Sequence, residues 1–246
     1  MRARQMALTR ELAARTACRI EDPGPLPGAA YLTDEDYAAL ADEALARASG
    51  DELWVFAYGS LLWKPACEVV ERRPATVQGW HRSFCFKVPR FRGTPERPGL
   101  MMALDRGGQF KGMVLRLPSD CLRESLDQLF RREMTMKPVG NVVRWVQART
   151  AERSLPALAF VVNRESPRYV GRLALEEVAE VVASAAGHWG SCAQYLQETV
   201  ALLEQHGIQD RNLWRLQELV ARNISGTGQG GGDAIEDDGT DRIALG

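Results

Sequence analysis

Glu133 is the residue best placed for acid–base chemistry in this sequence, near the end of a predicted helix that spans residues 119–134. The apolar face of that helix carries Leu122, Leu126, Leu129 and Phe130. Since eleven residues are close to three helical turns, Glu133 lies about 20° from Leu122 around the helix axis. A carboxylate on an apolar face is partly desolvated, which raises its pKa towards neutrality and suits it to proton transfer. The periodicity leaves open an alternative in which the helix frays at Arg132 and Glu133 turns to solvent.

A second candidate site is the turn after a predicted buried strand at 53–57, where the chain reads Ala57-Tyr58-Gly59-Ser60. Small residues in such a turn allow the backbone to come close to a ligand, and successive N–H groups can converge on an anion. The Ser60 hydroxyl and the Tyr58 phenol add polar groups. The turn is therefore a candidate for binding a carboxylate or the oxyanion of a transition state. A plain glycine turn between two strands is the alternative, and the residue types alone favour it.

Other kinds of active site lack their signatures in this sequence. Ser60 is not part of a Gly-x-Ser-x-Gly elbow because residue 62 is Leu, and neither a Walker loop nor a dinucleotide fingerprint occurs. The three histidines lack the spacing of metal ligands, so we expect neither a metal nor another cofactor. Arg82 is a further candidate for binding a substrate carboxylate, although an arginine on a strand more commonly pairs with a nearby acid.

The composition predicts a globular protein with a sizeable core, because 45% of the 246 residues are hydrophobic and 26% are charged. The formal net charge of −1 gives no general attraction to nucleic acid or to an anionic membrane. No run approaches the roughly 18 apolar residues of a membrane span, and no secretory signal is evident at the N-terminus. Five separated cysteines without a Cys-x-x-Cys pair indicate reduced thiols. We therefore expect a cytoplasmic protein with no nucleic-acid, membrane or obligate protein partner.

The order of the predicted elements indicates an α+β fold, with a small, strongly curved mixed β-sheet or barrel flanked by helices. Strands are predicted at 53–57, 67–71, 75–80, 82–88, 100–105, 109–117, 141–150 and 155–163. Gly107-Gly108 is the predicted hairpin turn between two of these strands. Helices are predicted at 33–50, 119–134, 173–186, 192–206 and 211–223, with caps at Thr33, Ser119, Ser191 and Asp210.

Several motifs connect the two candidate sites to the rest of the chain. In order they are Trp54-Val55-Phe56-Ala57-Tyr58-Gly59-Ser60-Leu61-Leu62-Trp63, Gly79-Trp80-His81-Arg82-Ser83-Phe84-Cys85, Arg92-Gly93-Thr94 with Pro98-Gly99, Arg131-Arg132-Glu133-Met134, and the segment 187–196. Together they resemble the motifs of the ChaC-type γ-glutamylcyclotransferases, in consistent order from about residue 53 to residue 224. The chain departs from the family pattern at Cys192, where the family usually has Asn, so one hydrogen bond of the family must be replaced or lost.

The resemblance implies that Glu133 is the catalytic acid–base of a reaction that needs no water, no protein nucleophile and no cofactor. In that reaction the α-amine of glutathione attacks its own γ-carbonyl, which releases 5-oxoproline and cysteinylglycine. The implied substrate-binding residues are Val55, Phe56, Ala57, Tyr58, Gly59, Ser60, Leu61 and Tyr195. For Tyr195, a role in the core is an equal alternative. For the whole chain, action on another γ-glutamyl amine and a non-catalytic γ-glutamyl-binding module remain as alternatives.

Composition and resemblance together predict three regions. Residues 1–50 form an N-terminal arm, with an amphipathic stretch and a proline-rich linker, followed by the helix that Thr33 caps. Residues 51–224 form the γ-glutamylcyclotransferase-like catalytic domain. Residues 225–246 are rich in glycine and acidic side chains, and we expect them to be a disordered tail.

Overall fold

The protein, represented by a computed structural model that describes residues 5–48, 50 and 52–226, combines helices with a curved sheet, as the sequence predicts. The helices are α1 Arg10–Ala14, α2 Asp34–Arg47, α3 Leu122–Glu133, α4 Leu175–Ser184, α5 Cys192–Gln205 and α6 Arg211–Gly226. The strands are β1 Ala30–Tyr31, β2 Trp54–Ala57, β3 Glu71–Val88, β4 Gly99–Arg116, β5 Met136–Lys137, β6 Asn141–Arg149, β7 Ser154–Val162, β8 Ala186–Gly187 and β9 Gly190–Ser191. No described helix is long and apolar enough to cross a membrane.

Strands β2, β4, β3, β6 and β7 follow one another around a closed barrel in the described part of the chain. Their pairings in that order are antiparallel. Strand β7 closes the barrel through parallel contacts with β2, between Val55 and Leu158, and with β4, between Leu104 and Val161. These four side chains are buried, so the core fills the barrel. The predicted α+β fold with a strongly curved sheet or barrel is therefore confirmed.

Strands β3 and β4 pair along nearly their whole length as one long hairpin. The predicted strand at 67–71 is wrong, since β3 begins only at Glu71, and the predicted strands at 75–80 and 82–88 are one strand. The turn of the hairpin is formed by residues 89–98, which contribute to the cavity described below.

The predicted hairpin turn at Gly107-Gly108 is wrong, because both residues lie inside β4. Their φ angles are 109° and 77°. Gly79, which lies opposite them on β3, has a φ angle of 81°. The register shifts between Gln78 and Trp80, which marks a bulge where the hairpin bends into the barrel. Because glycine adopts positive φ without a steric penalty, the same residues that permit a tight turn also permit a bulge within a strand.

Most of the predicted helix caps are confirmed. Thr33, Ser191 and Asp210 each accept a hydrogen bond, at their side-chain oxygen, from the backbone N–H three residues further along. The predicted cap at Ser119 is wrong, because Ser119–Cys121 forms a 3-10 turn and α3 begins after it. Cys121, in the cap position of α3, makes no side-chain capping hydrogen bond.

The N-terminal segment lies against the barrel domain. Leu8 is fully buried, and its N–H donates to Oε1 of Gln217 on α6 at 2.7 Å. Thr16 then donates from its hydroxyl to Oγ of Ser191 at 2.7 Å. Helix α2 packs on α3, where the Tyr37 hydroxyl donates to the carbonyl of Met134 at 2.9 Å. The predicted division at residue 50 stays a prediction.

Helix α6 extends to Gly226, so the first two residues of the predicted tail are helical. The remainder of that tail, residues 227–246, lies outside the described residues.

Candidate active site

A cavity of about 400 Å³ opens beside the barrel, and three elements converge on it. These are the turn after β2, the 89–98 loop between β3 and β4, and the end of α3. Tyr195 on α5 lines the cavity from a fourth direction. The volume is within the range that binds small molecules, and several elements supply polar groups, which is the usual construction of a ligand site.

Glu133 is the last residue of α3, and its carboxylate faces this cavity with 17% of the side chain exposed. Burial raises the pKa of this carboxyl above its ordinary value, while the Arg132 guanidinium, with Nε 3.5 Å from Oε1, acts in the opposite direction. Burial is the larger effect. The alternative in which Glu133 turns to solvent is therefore not what the chain adopts. A carboxylate so placed can exchange protons with a bound ligand.

Arg132 ties the end of α3 to the turn after β2. Its Nη2 donates to Oγ of Ser60 at 2.9 Å, and its Nη1 donates to the carbonyl of Lys64. The guanidinium therefore lies between the acid Glu133 and the candidate anion-binding turn, and it fixes their relative position.

The turn after β2 divides into a part that reaches the cavity and a part that does not. Tyr58, Gly59, Ser60 and Leu61 line the cavity. Val55, Phe56 and Ala57 instead lie in β2, where they pair with β4 and are buried, and they are not part of the cavity wall. The predicted substrate-binding stretch is thus split, and its strand part anchors the turn within the barrel.

Tyr58 and Tyr195 both lie close to Gly59, but their hydroxyl groups have different surroundings. The Tyr58 hydroxyl donates to the carbonyl of Phe160 at 2.9 Å, and burial raises the pKa of this phenol well above its ordinary value. Gly59 lies directly beside Tyr195, since a Cβ at Gly59 would be 2.9 Å from the Tyr195 hydroxyl oxygen and 3.4 Å from Cε of Met102. A side chain at position 59 would therefore displace the tyrosine.

Tyr195 belongs to both the core and the cavity. It is 2% exposed, and burial raises the pKa of its phenol. Its ring makes an edge contact with Trp63, at 5.6 Å between centroids, and lies 5.4 Å from the Arg92 guanidinium. The core and site interpretations of this residue are thus compatible.

The profile of the ChaC-like protein family matches residues 53–223 of the chain. The chain belongs to this family. A glutathione-specific γ-glutamylcyclotransferase of Escherichia coli is 34% identical over 199 residues, which are 79% of this chain and 85% of that protein. The mouse glutathione-specific γ-glutamylcyclotransferase 1 is 29% identical over 68% of this chain and 78% of its own length.

Among solved structures, a yeast γ-glutamyl cyclotransferase specific to glutathione superposes with a TM-score of 0.63. It is 23% identical in sequence, and the match covers 70% of this chain and 99% of the yeast chain. At this low sequence identity, the structural similarity supports the assignment of the fold alone.

The ChaC-like motif around Arg82 has a structural role in this chain. Arg82 is buried, and its Nη1 lies 3.0 Å from Oδ2 of Asp210, the cap residue of α6. Its Nε donates to the carbonyl of Tyr58 at 3.0 Å. Of the two interpretations, pairing with an acid is therefore the one that the structure adopts, and the arginine supports the Tyr58–Gly59 peptide from behind.

Cys192, where ChaC-like sequences usually have Asn, keeps a polar contact at that position. Its Sγ donates to the carbonyl of Arg92 at 3.2 Å, and burial raises the pKa of the thiol to about 11. The thiol is therefore neutral at physiological pH and holds the loop that carries Arg92 against α5.

Sequence reasoning missed the cationic lining of this ChaC-like cavity. The basic lining residues are Lys64, Arg90, Arg92, Arg132 and Arg168, against Glu133 as the acid among the described lining residues. Such a lining favours an anionic ligand. Two of these arginines belong to motifs that resemble the family, Arg92 in Arg-Gly-Thr and Arg132 in Arg-Arg-Glu-Met. Their place in these motifs could have indicated that they line the site.

Proposed function

We propose that this ChaC-like protein is a glutathione-specific γ-glutamylcyclotransferase, which converts glutathione to 5-oxo-L-proline and L-cysteinylglycine. The observation that carries the proposal is a buried carboxylate, Glu133, facing a small cavity whose other charged lining residues are basic. Glutathione has two carboxylates and one ammonium group, so its charges complement this lining. The names of the relatives from Escherichia coli and mouse support the same substrate.

In the proposed mechanism, Glu133 begins as the base. It takes a proton from the α-ammonium group of the γ-glutamyl residue, whose reference pKa is about 8 and which is otherwise mostly protonated at neutral pH. The free amine attacks the γ-carbonyl carbon, a C–N bond forms, and the ring closes to a tetrahedral oxyanion. Because the pKa of the Glu133 carboxyl is raised, the difference between its pKa and that of the substrate amine is smaller. A smaller difference favours proton transfer in both directions.

In the second step, Glu133 acts as the acid. The bond between the γ-carbon and the cysteinyl nitrogen breaks, and the proton held by Glu133 goes to the leaving amine. The ring nitrogen still carries two protons after the attack, and it gives up one of them through the same carboxylate to the released amine, which becomes an ammonium group. Two protons thus leave the α-nitrogen and two reach the cysteinyl nitrogen, so no water and no external group is consumed. Both reacting atoms belong to one molecule, and orientation alone can therefore contribute an effective molarity of roughly 10⁵ M or more.

We assign the orientation of the substrate to the residues around the turn. The backbone N–H groups of Gly59, Ser60 and Leu61, which line the cavity, would hold the α-carboxylate or the oxyanion. Tyr195 would form the wall against which the γ-glutamyl chain packs. The close approach of Gly59 to Tyr195 leaves no room for a side chain at position 59, so the turn and the tyrosine form adjoining parts of the cavity wall.

The test is to incubate the purified chain with glutathione and to measure the release of 5-oxoproline by chromatography. γ-Glutamyl-alanine and a γ-glutamyl amine serve as comparison substrates. We expect glutathione to have the highest kcat/KM. Preference for the γ-glutamyl amine would assign the chain to another cyclotransferase substrate, and binding of glutathione without any product would show a non-catalytic module.

We also propose that the protein works in the cytoplasm. All five cysteines are free thiols, with Cys85 and Cys192 buried, which suits a reducing compartment. Fractionation of cells that express the full chain tests this, and recovery outside the cytoplasmic fraction would contradict it.

A further inference from the structure

Arg90 stands at the mouth of the cavity, on the loop between β3 and β4, with 14% of its side chain exposed. Its guanidinium already binds a carboxylate of the same chain. Nη2 lies 2.7 and 2.9 Å from the two carboxylate oxygens of Asp22, and Nε lies 3.1 Å from Oδ1. A planar guanidinium offers this two-pronged geometry to carboxylates in general. The mouth of the cavity therefore contains a formed carboxylate-binding site.

Asp22 belongs to the segment of residues 17–29, which we call the strap and which meets the cavity lining through the contact of Asp22 with Arg90. At its N-terminal end, the Thr16 hydroxyl donates to Oγ of Ser191 at 2.7 Å. At its C-terminal end, β1 pairs with β5, whose Met136 lines the cavity. The strap is thus attached at both of its ends, and Asp22 reaches Arg90 between these attachments.

The contact between Asp22 and Arg90 is one that a ligand can replace. The Asp22 side chain is 50% exposed, and Nε2 of His188 lies 3.6 Å from its Oδ1. Arg90 holds the pKa of Asp22 below its ordinary value, so the acid is ionised at neutral pH. Because the Asp22 carboxylate is half exposed, water can solvate it when it leaves Arg90, so a carboxylate presented from within the cavity can take the place of Asp22.

Other arginines of the cavity are engaged differently. Arg132 donates to Ser60 and to a backbone carbonyl, and Arg92 donates to the carbonyl of Ser191 at 2.9 Å. Arg168 donates to the carbonyl of Pro138 at 3.3 Å and lies over an aromatic ring. These partners belong to the fixed frame of the site, whereas the partner of Arg90 is an exposed acid on a separate segment.

We propose that Arg90 is the subsite for the terminal carboxylate of the substrate, and that Asp22 occupies this subsite until the substrate displaces it. The proposal rests on the proposed function, in which the γ-glutamyl end is held by the turn beside Glu133. The other end of a tripeptide then points to the mouth. There Arg90 distinguishes a peptide with a C-terminal carboxylate from a γ-glutamyl compound without one.

The first experiment compares glutathione with its glycinamide analogue, which lacks only the terminal carboxylate charge. We expect Arg90→Gln to lower kcat/KM for glutathione about 10- to 100-fold, mainly through KM, because one charge-assisted interaction is lost. The glycinamide should be turned over equally by wild type and variant. Arg97→Gln, on the same loop but exposed and outside the cavity lining, is the matched control and should behave as wild type. An equal loss for both substrates in Arg90→Gln would overturn the subsite.

The second experiment tests whether Asp22 competes with the substrate carboxylate for Arg90. Asp22→Asn removes the charge of the competing group but keeps its shape, so KM for glutathione should fall by about two- to fivefold. The KM for the glycinamide should not change. An unchanged or higher KM for glutathione would show that Asp22 does not occupy the subsite in competition with substrate.

Binding measurements separate this proposal from the proposed function. In the Glu133→Gln background, calorimetry reports affinity without turnover. Tighter binding of glutathione than of the glycinamide, abolished by Arg90→Gln, supports the subsite even if no variant releases 5-oxoproline, in which case the proposed function fails alone. Equal affinity for the two ligands in the chain that retains Arg90 overturns the subsite whatever the activity.

Discussion

Replacement of Glu133 by Gln is the most direct perturbation of the proposed mechanism. Gln has the same shape and can hydrogen-bond, but it cannot take the proton of the substrate ammonium group. The neighbouring Arg132 keeps its hydrogen bonds to Ser60 and to the carbonyl of Lys64, so the frame of the site is preserved. The substitution therefore isolates the proton-transfer function.

The expected loss in rate follows from general acid–base catalysis, which typically contributes about 10² to 10⁴. This corresponds to about 2.7 to 5.4 kcal/mol in the activation free energy. Affinity for glutathione should remain, because the turn and the cationic lining are untouched. The assay pairs calorimetry for glutathione binding with chromatography for 5-oxoproline.

The stability of the variant gives an independent check. Because burial raises the folded-state pKa of Glu133 above the ordinary 4.5, the folded chain retains this proton at pH values where the unfolded chain has lost it. The free energy of unfolding of the wild type therefore decreases as pH rises through that window. Gln does not titrate, so the free energy of unfolding of the variant does not show this decrease. Glu133→Gln should melt at or above the wild-type temperature at neutral pH, and the difference should shrink towards pH 4.

Glu124→Gln is the matched control, since Glu124 lies on the exposed side of the same helix. It should retain wild-type activity. If Glu133→Gln retains more than about a tenth of the wild-type rate, the general-base contribution is missing and the assignment of Glu133 is refuted. A variant that melts well below wild type at neutral pH would refute the inferred desolvation.

Three further predictions follow from individual contacts. Gly59→Val should abolish 5-oxoproline release in a folded protein, because its Cβ would lie 2.9 Å from the Tyr195 hydroxyl; wild-type activity would refute the tight approach. Arg82→Met should lower the free energy of unfolding by about 3 to 5 kcal/mol in urea denaturation, because it removes the ion pair with Asp210 and the hydrogen bonds to the carbonyls of Tyr58 and Lys111. A loss below about 1 kcal/mol would contradict the importance of that pair. Deletion of residues 227–246 should leave activity and melting temperature nearly unchanged, and a drop of more than a few degrees would show that this glycine-rich segment packs.

The features that sequence predicted correctly depend on neighbouring residues. Helix periodicity placed Glu133 on the apolar face of α3 near Leu122 but left open that it turns to solvent, and the resemblance to the ChaC-type family favoured the site. The caps at Ser191 and Asp210 follow from side chains that reach N–H groups three residues away. Family motifs then placed the glycine turn in the same site as the acid.

The features that sequence did not predict depend on distant contacts. Gly107-Gly108 has the composition of a hairpin turn, but the pairing of β3 with β4 makes it a bulge, and local composition does not separate the two. The role of an arginine depends likewise on what the fold brings opposite it. Arg82 meets Asp210, 128 positions away, and Arg90 meets Asp22, 68 positions away, so neither contact is visible in a local window.

Two arginines hold the turn at Tyr58–Ser60 from opposite sides, and this arrangement suits an intramolecular reaction. From behind, Arg82 donates to the Tyr58 carbonyl, and from the cavity side Arg132 donates to the Ser60 hydroxyl. Arg132 also lies beside Glu133, so the proposed base and the candidate anion-binding turn contact the same side chain. In a cyclisation, where amine and carbonyl are already in one molecule, catalysis depends chiefly on their alignment and on proton transfer from the attacking to the leaving nitrogen. Arg132 contacts both the turn and Glu133, whose pKa it lowers against the larger effect of burial, so this one side chain bears on both requirements of the proposed reaction.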